Sequence, residues 1–203
     1  GDGTVLIHRT YTLPVISVET ADGTAVTEAS TPAETEALTV AQTFNDQFRA
    51  WAASDGADEM AAGAEEDRAF RAESGLEWHP YELELDCSLY QTEELISVQA
   101  EYYSYTGGAH PNTVLLAWNY DLTTGQFLTP EQLAADGQAF SEAVRAELLR
   151  QSQETAADND MAPEEYFWSN YEEILSGWSS YAVSFDETGM TVGFSPYELA
   201  SYA

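Results

Sequence analysis

The chain contains no lysine. Its basic residues are 6 arginines against 36 acids, a formal charge of −30 over 203 residues. Such a field repels phosphate backbones and anionic lipid, which bind through lysine and arginine by releasing counterions. Nucleic acid is therefore excluded as the expected partner. A cationic protein or calcium would be steered in instead, with a strong dependence on salt. The same acidity also serves the simpler end of keeping a secreted protein soluble.

Cysteine is nearly absent too. One residue, Cys87, rules out an intrachain disulfide. It lies on the apolar parity of an alternating run, which marks it as a small buried hydrophobe rather than a nucleophile. No apolar run reaches the roughly 20 residues of a membrane-spanning helix, so no membrane insertion by this segment is expected. No signal peptide is visible, and Gly1-Asp2-Gly3 reads as a trimmed or tagged start. What the chain does have is 44% hydrophobic and 12% aromatic residues, enough for a folded core.

Val5–Val18 reads as one or two strands broken at Pro14, and Ala21–Ser30 as a polar connector. Thr31-Pro32-Ala33-Glu34 is a helix start with capping box and N1 proline. Behind it Leu38, Ala41, Phe44, Phe48 and Trp51 form an apolar stripe at helical spacing. Asp55–Ser74 remains helix-compatible, with a break expected from Gly56 and Gly63. From Tyr81 the period drops to two: Tyr81, Leu83, Leu85, Cys87 and Leu89, then Ile96, Val98, Ala100 and Tyr102, then Val114, Leu116, Trp118, Tyr120 and Leu122. Thr123-Thr124-Gly125 turns into a short strand at Gln126–Leu128. Thr129-Pro130-Glu131-Gln132 repeats the capping pattern. Leu133, Phe140, Val144 and Leu148 stripe the helices beyond it. Phe167, Tyr171, Ile174 and Trp178 mark a last helix stopped near Gly177, and a final hairpin crosses Glu187-Thr188-Gly189. The expected fold is α+β, with antiparallel β-meander sheets packed against a few amphipathic helices.

Candidate chemistry is sparse. His8, His79 and His110 are far apart and lack the i, i+4 spacing of zinc enzymes. No nucleophile elbow, P-loop or dinucleotide fingerprint is present, so neither a metal nor a cofactor is expected. Asp158-Asn159-Asp160 with Glu164 and Glu165 is oxygen-rich but lacks the EF-hand offsets, and reads as a solvated loop. His110 with Ser104 or Thr106 would make a base and nucleophile only if an orienting acid converged on them. In Tyr102–Asn112, "YYSYTGGAHPN", the glycine pair is expected to turn the chain, and His110-Pro111 to brace it. Tyr103 and Tyr105 occupy the parity opposite Ile96 and Val98, either on an exposed aromatic face or beneath a helix.

Three stretches together resemble a known family: "YYSYTGGAHPN", "NYDLTTGQFLTPEQL" and the tail "TVGFSPYELASYA". They are similar to the extracytoplasmic domain shared by RsiV-type anti-sigma factors and the N-terminal region of PdaC-type peptidoglycan deacetylases. Tyr103, Tyr105, Thr106, Gly107, Gly108, Ala109 and His110 carry the first match. Asn119, Asp121, Leu122, Thr124 and Gly125 carry the second. Phe194, Pro196, Tyr197, Glu198, Leu199, Ala200, Tyr202 and Ala203 carry the third, with Ser201 where the family has proline. The resemblance implies a secreted or surface-anchored bacterial domain in two family segments packed as one unit, 1–108 PdaC-like and 109–203 like the C-terminal part of RsiV. It implies recognition without catalysis: the anti-sigma factors bind lysozyme, and the deacetylases keep their chemistry in a separate domain that this sequence does not match. The expected ligand is a cationic, lysozyme-like protein or a cell-wall glycan. The residues expected to meet it are Tyr103, Tyr105, Thr106, Gly107, Gly108, His110, Asn112, Pro196, Tyr197 and Tyr202. The alternative is an accessory or catalytic domain acting on peptidoglycan or another wall polymer.

Overall fold

The computed structural model describes residues 3–201; the expectations for Gly1, Asp2, Tyr202 and Ala203 lie outside the described residues. The elements follow in the order β1 (Ile7–Tyr11), α1 (Pro32–Ala53), α2 (Ala57–Ser74), β2 (Tyr81–Gln91), β3 (Leu95–Tyr105), β4 (Asn112–Asp121), β5 (Gln126–Phe127), a 3-10 turn (Pro130–Leu133), α3 (Gly137–Asp158), α4 (Pro163–Tyr166), α5 (Tyr171–Ser176), a second 3-10 turn (Trp178–Ser180), β6 (Ala182–Asp186) and β7 (Gly189–Gly193). The class is α+β, as expected. β1 to β5 form one sheet in sequence order, and β6 and β7 form a second. The short links between β2, β3 and β4 leave no room for a crossover, so those neighbours run antiparallel. β1 departs from a pure meander: it pairs parallel with β2, Ile7 opposite Tyr81 and Tyr11 opposite Leu85. Two helices intervene between these strands and supply the crossover that parallel pairing requires.

The chain divides into two compact units, Gly1–Ser88 with Ala100–Thr113, and Leu89–Gln99 with Val114–Ala203. In the first, Thr31 and Glu34 close the capping box that starts α1, Glu34 N–H donating to Thr31 Oγ1 at 3.2 Å and Thr31 N–H to Glu34 Oε2 at 3.0 Å. The α1 stripe buries Ala41, Phe44 and Phe48, and the alternation of β2 buries Leu83 and Leu85. Gly56, at φ 78°, breaks the helix before α2, whereas Gly63 does not, and α2 runs straight through it. The strand expected at Val15–Val18 is absent. The Asn45 amide from α1 takes the place of a strand neighbour there: Ile16 N–H donates to Asn45 Oδ1, and Asn45 Nδ2 to the Ile16 carbonyl, each at 2.9 Å.

In the second unit Trp178 is fully buried against Val144 and Val183, with Phe140, Leu148, Met190 and Val192 packed around them. The Trp178 indole N–H donates to Ser141 Oγ at 3.1 Å, and its ring meets Phe140 edge-on at 5.8 Å. A buried polar chain runs through this core. Ser97 Oγ donates to Asn119 Oδ1 at 2.8 Å, Asn119 Nδ2 to the Val183 carbonyl at 2.9 Å, and Phe185 N–H to Ser97 Oγ at 2.8 Å. The last helix starts later than the sequence indicated, at Tyr171 rather than Phe167. Phe167 instead closes the short α4, its N–H donating to the Pro163 carbonyl at 2.8 Å.

Candidate recognition surface

The glycine–histidine loop belongs to the first unit. Tyr103 and Tyr105 are half-buried on β3, while Thr106, Gly107, Gly108, His110 and Asn112 are exposed. Gly107 takes the left-handed φ of 79° that the reversal needs, and Gly108 does not. The turn is pinned from inside: Tyr105 Oη donates to the Gly108 carbonyl at 3.1 Å, and Arg71 Nη2 to the Gly107 carbonyl at 3.2 Å. Arg71 is itself fixed by Asp67 one helical turn earlier, Nε to Oδ2 at 2.8 Å. His110 Nδ1 lies 2.9 Å from the carbonyl of its own neighbour Pro111. Ser104 Oγ is turned to the Asn112 carbonyl at 3.5 Å. These bonds shape a loop; they do not assemble a base with a nucleophile.

Pro196 and Tyr197 belong to the second unit. Tyr197 is 50% exposed and holds φ 71°, a left-handed conformation that costs a bulky residue free energy. The surroundings hold it there. Trp168 Nε1 donates to the Tyr197 carbonyl at 3.0 Å, and Trp168 N–H to the Leu199 carbonyl at 3.0 Å. Glu198 N–H donates to the Ser195 carbonyl at 3.1 Å, and its carboxylate accepts from Ser195 N–H. Ser195 Oγ in turn accepts from Leu115 N–H at 3.1 Å. The result is an open concavity of about 290 Å³ lined by Phe167, Phe194, Pro196, Tyr197 and Leu199, with Trp168, 38% exposed, bonded to its edge. Apolar rings facing solvent in a preset backbone suit a sugar face or an apolar anchor of a protein.

The sequence reading missed Trp168, which sits outside the helical stripe and meets Tyr197 only through the fold. It missed a second cluster as well. The Asp55 side chain, 3% exposed, accepts from Arg9 Nη2 at 2.9 Å, from Tyr11 Oη, and from Ala57 N–H at 3.1 Å. The Tyr11 ring in turn packs with those of Trp51 and Tyr102, the three centroids 5.5–6.2 Å from one another. Burial first, then the hydrogen bond to Asp55, raises the Tyr11 phenol above its ordinary range. Its single hint in the sequence was an acid between a helix end and a glycine.

Among the described residues no cluster of His, Cys, Asp and Glu is arranged to hold a metal ion. In the acidic loop, Glu165 Oε2 is spent accepting from Ala162 N–H at 3.1 Å.

Residues 23–113 match the family model described as deacetylase PdaC, a little under half of the chain. That segment is PdaC-like. The kinship read from the sequence therefore holds over the PdaC-like part, which takes in the whole glycine–histidine loop. A search of curated proteins finds no match. Among solved structures, a DUF3298-family protein of Bacteroides fragilis shares the fold at TM-score 0.51 and 17% identity, over 88% of this chain and 74% of that one. A DUF3298-family protein of Pseudomonas aeruginosa PAO1 matches at TM-score 0.43 and 20% identity, over 60% of this chain and 54% of that one. The chain thus spans little more than half of the Pseudomonas protein. No described helix is long and apolar enough to cross a membrane.

Proposed function

We propose that this chain is a non-catalytic recognition domain of the bacterial cell envelope, working outside the cytoplasm, whose ligand is a cationic, lysozyme-like protein or a cell-wall glycan. The observation that carries the reading is Tyr197: a half-exposed aromatic held at positive φ by an indole hydrogen bond, over an open apolar concavity. Backbone strain that the surroundings maintain clusters at ligand-binding sites, and here it presents an exposed aromatic. The PdaC-like segment supports placement in the envelope, and the charge of −30 favours a basic partner. The proposed contact residues are Pro196, Tyr197 and Tyr202, and in the loop Tyr103, Tyr105, Thr106, Gly107, Gly108, His110 and Asn112. The division of the chain into a PdaC-like part, 1–108, and an RsiV-like part, 109–203, belongs to the same proposal.

The test is calorimetric titration with lysozyme and with soluble peptidoglycan fragments, at low salt and at about 0.15 M, where the screening length has fallen to about 8 Å. Binding by one of them should survive at the higher salt and weaken about tenfold or more in Tyr197→Ala, as for an aromatic anchor. Loss of all binding at physiological salt would mean that only the acidic field had been at work. His110→Ala separates recognition from catalysis on wall polymers: recognition leaves any hydrolysis seen in a preparation unchanged by that substitution.

A further inference from the structure

β6 and β7 form a sheet of their own, so each strand keeps one outer edge. In an antiparallel pair every second residue spends its backbone groups on its partner and the others point them outward. The hairpin closes with Asp186 opposite Gly189. A two-residue turn is flanked by a hydrogen-bonded pair. Ser184–Thr191 and Ala182–Gly193 are therefore bonded pairs as well, and Val183, Phe185, Met190 and Val192 face outward. The polar chain in the core bears this out on β6, where Asn119 caps the Val183 carbonyl and Ser97 caps the Phe185 amide. β7 has no such caps: among the described residues nothing outside the hairpin bonds to the backbone of Met190 or Val192.

A groove of about 410 Å³ opens beside this edge, between β7 and α3, lined by Phe140, Val144, Leu148, Met190 and Val192 with the exposed Glu147 among them. An uncapped strand edge next to an apolar trough has the two parts of a strand-addition site: backbone groups for affinity and a pocket for alternate side chains. Charge selects the occupant. A second copy of this chain would bring another −30, whereas a basic strand would be drawn by that field and by Asp186 and Glu187 at the hairpin turn, Glu147 being already paired with Arg150.

We propose that β7 is a docking edge for an extended segment of a partner protein in which apolar and basic residues alternate, its backbone pairing with Met190 and Val192 and its apolar side chains entering the groove beside α3. The residues are distinct from those around Tyr197, so the two proposals fail separately.

The experiment uses a fluorescent heptapeptide of alternating arginine and valine, with a second peptide of equal charge carrying a central proline. Anisotropy gives affinity at about 0.15 M salt, and amide NMR follows exchange at Met190 and Val192. The regular peptide should bind about tenfold or more tightly than the proline peptide, since proline removes a ladder hydrogen bond, and should slow exchange at both amides. Val192→Arg, with its fold checked by circular dichroism, should weaken it about tenfold, which is one RT ln 10 step. Wild-type exchange data carry the test alone if that variant misfolds. Equal binding of both peptides, or exchange at Met190 and Val192 unmoved by the regular peptide, overturns the proposal. Protection of those amides by self-association, seen in sedimentation, also overturns it, in favour of a second copy.

Discussion

At the scale of single residues, the strongest expectations concern polar groups that the fold takes out of water and the partners it gives them. Asp55 is held by Arg9, Tyr11 and a backbone amide with its side chain almost wholly out of water. Removing it leaves Arg9 without its carboxylate, and Arg9 is 40% exposed, which tempers the loss. Asp55→Ala should cost about 2–3 kcal/mol by urea denaturation, at the lower end for a broken pair of this kind. Tyr11 provides the pH test. Its phenol is raised in the fold, so the stability it contributes is full below the unfolded value and declines as pH climbs beyond it. The urea midpoint should drop above about pH 10, and Tyr11→Phe should flatten that drop. Cys87 follows the same sign. Burial, with the nearby Asp86 charge, pushes its thiol up to about 11. Reaction with an aromatic disulfide reagent near neutral pH should be about a hundredfold slower than in the urea-unfolded chain, in proportion to the thiolate lost.

Among the elements, those governed by local pattern were legible in the sequence. The α1 capping box and the positions of β2, β3 and β4 were encoded over a few residues. Thr31→Ala should accordingly cost about 1 kcal/mol, seen as a lower thermal midpoint. The single wet face expected of β3 and β4 is not there: Ile96, Ser97 and Val98 are buried in succession, as are Asn119 and Tyr120, and on β2 the alternation fails at the exposed Leu89. What escaped the sequence was set by distant partners. Val15–Val18 has strand-forming residues, but the side chain of Asn45 on α1, 29 residues from Ile16, claims its backbone. Gly63 signalled a break that does not occur, because one exposed glycine costs a helix interior only about 1 kcal/mol. The same holds at the candidate surface. The Gly107 turn was readable from its glycines, whereas the strained Tyr197 and its Trp168 support arise only where α4 and the tail meet. Asn119 illustrates the cost of such remote bonds. Asn119→Leu would leave the Val183 carbonyl without its donor, and should destabilise by about 2 kcal/mol, with faster amide exchange along β6.

For the molecule as a whole, charge and connectivity dominate. With 36 acids and 6 bases, self-repulsion opposes the compact state. Raising salt from about 0.01 M to 0.15 M shortens the screening length from about 30 Å to about 8 Å and should raise the thermal midpoint by several degrees. A midpoint that does not move would mean that the acids are already spaced beyond mutual influence. Connectivity has a consequence for the history of the gene. The boundaries between the two compact units fall inside β2, β3 and β4 rather than in a linker, so the polypeptide passes from one unit to the other in mid-strand three times. Recombination at those points would splice halves of strands from different parents and mismatch their pleat, register and buried faces at once. Chimeras joined at those points should therefore fold poorly, and the two units are expected to pass on together.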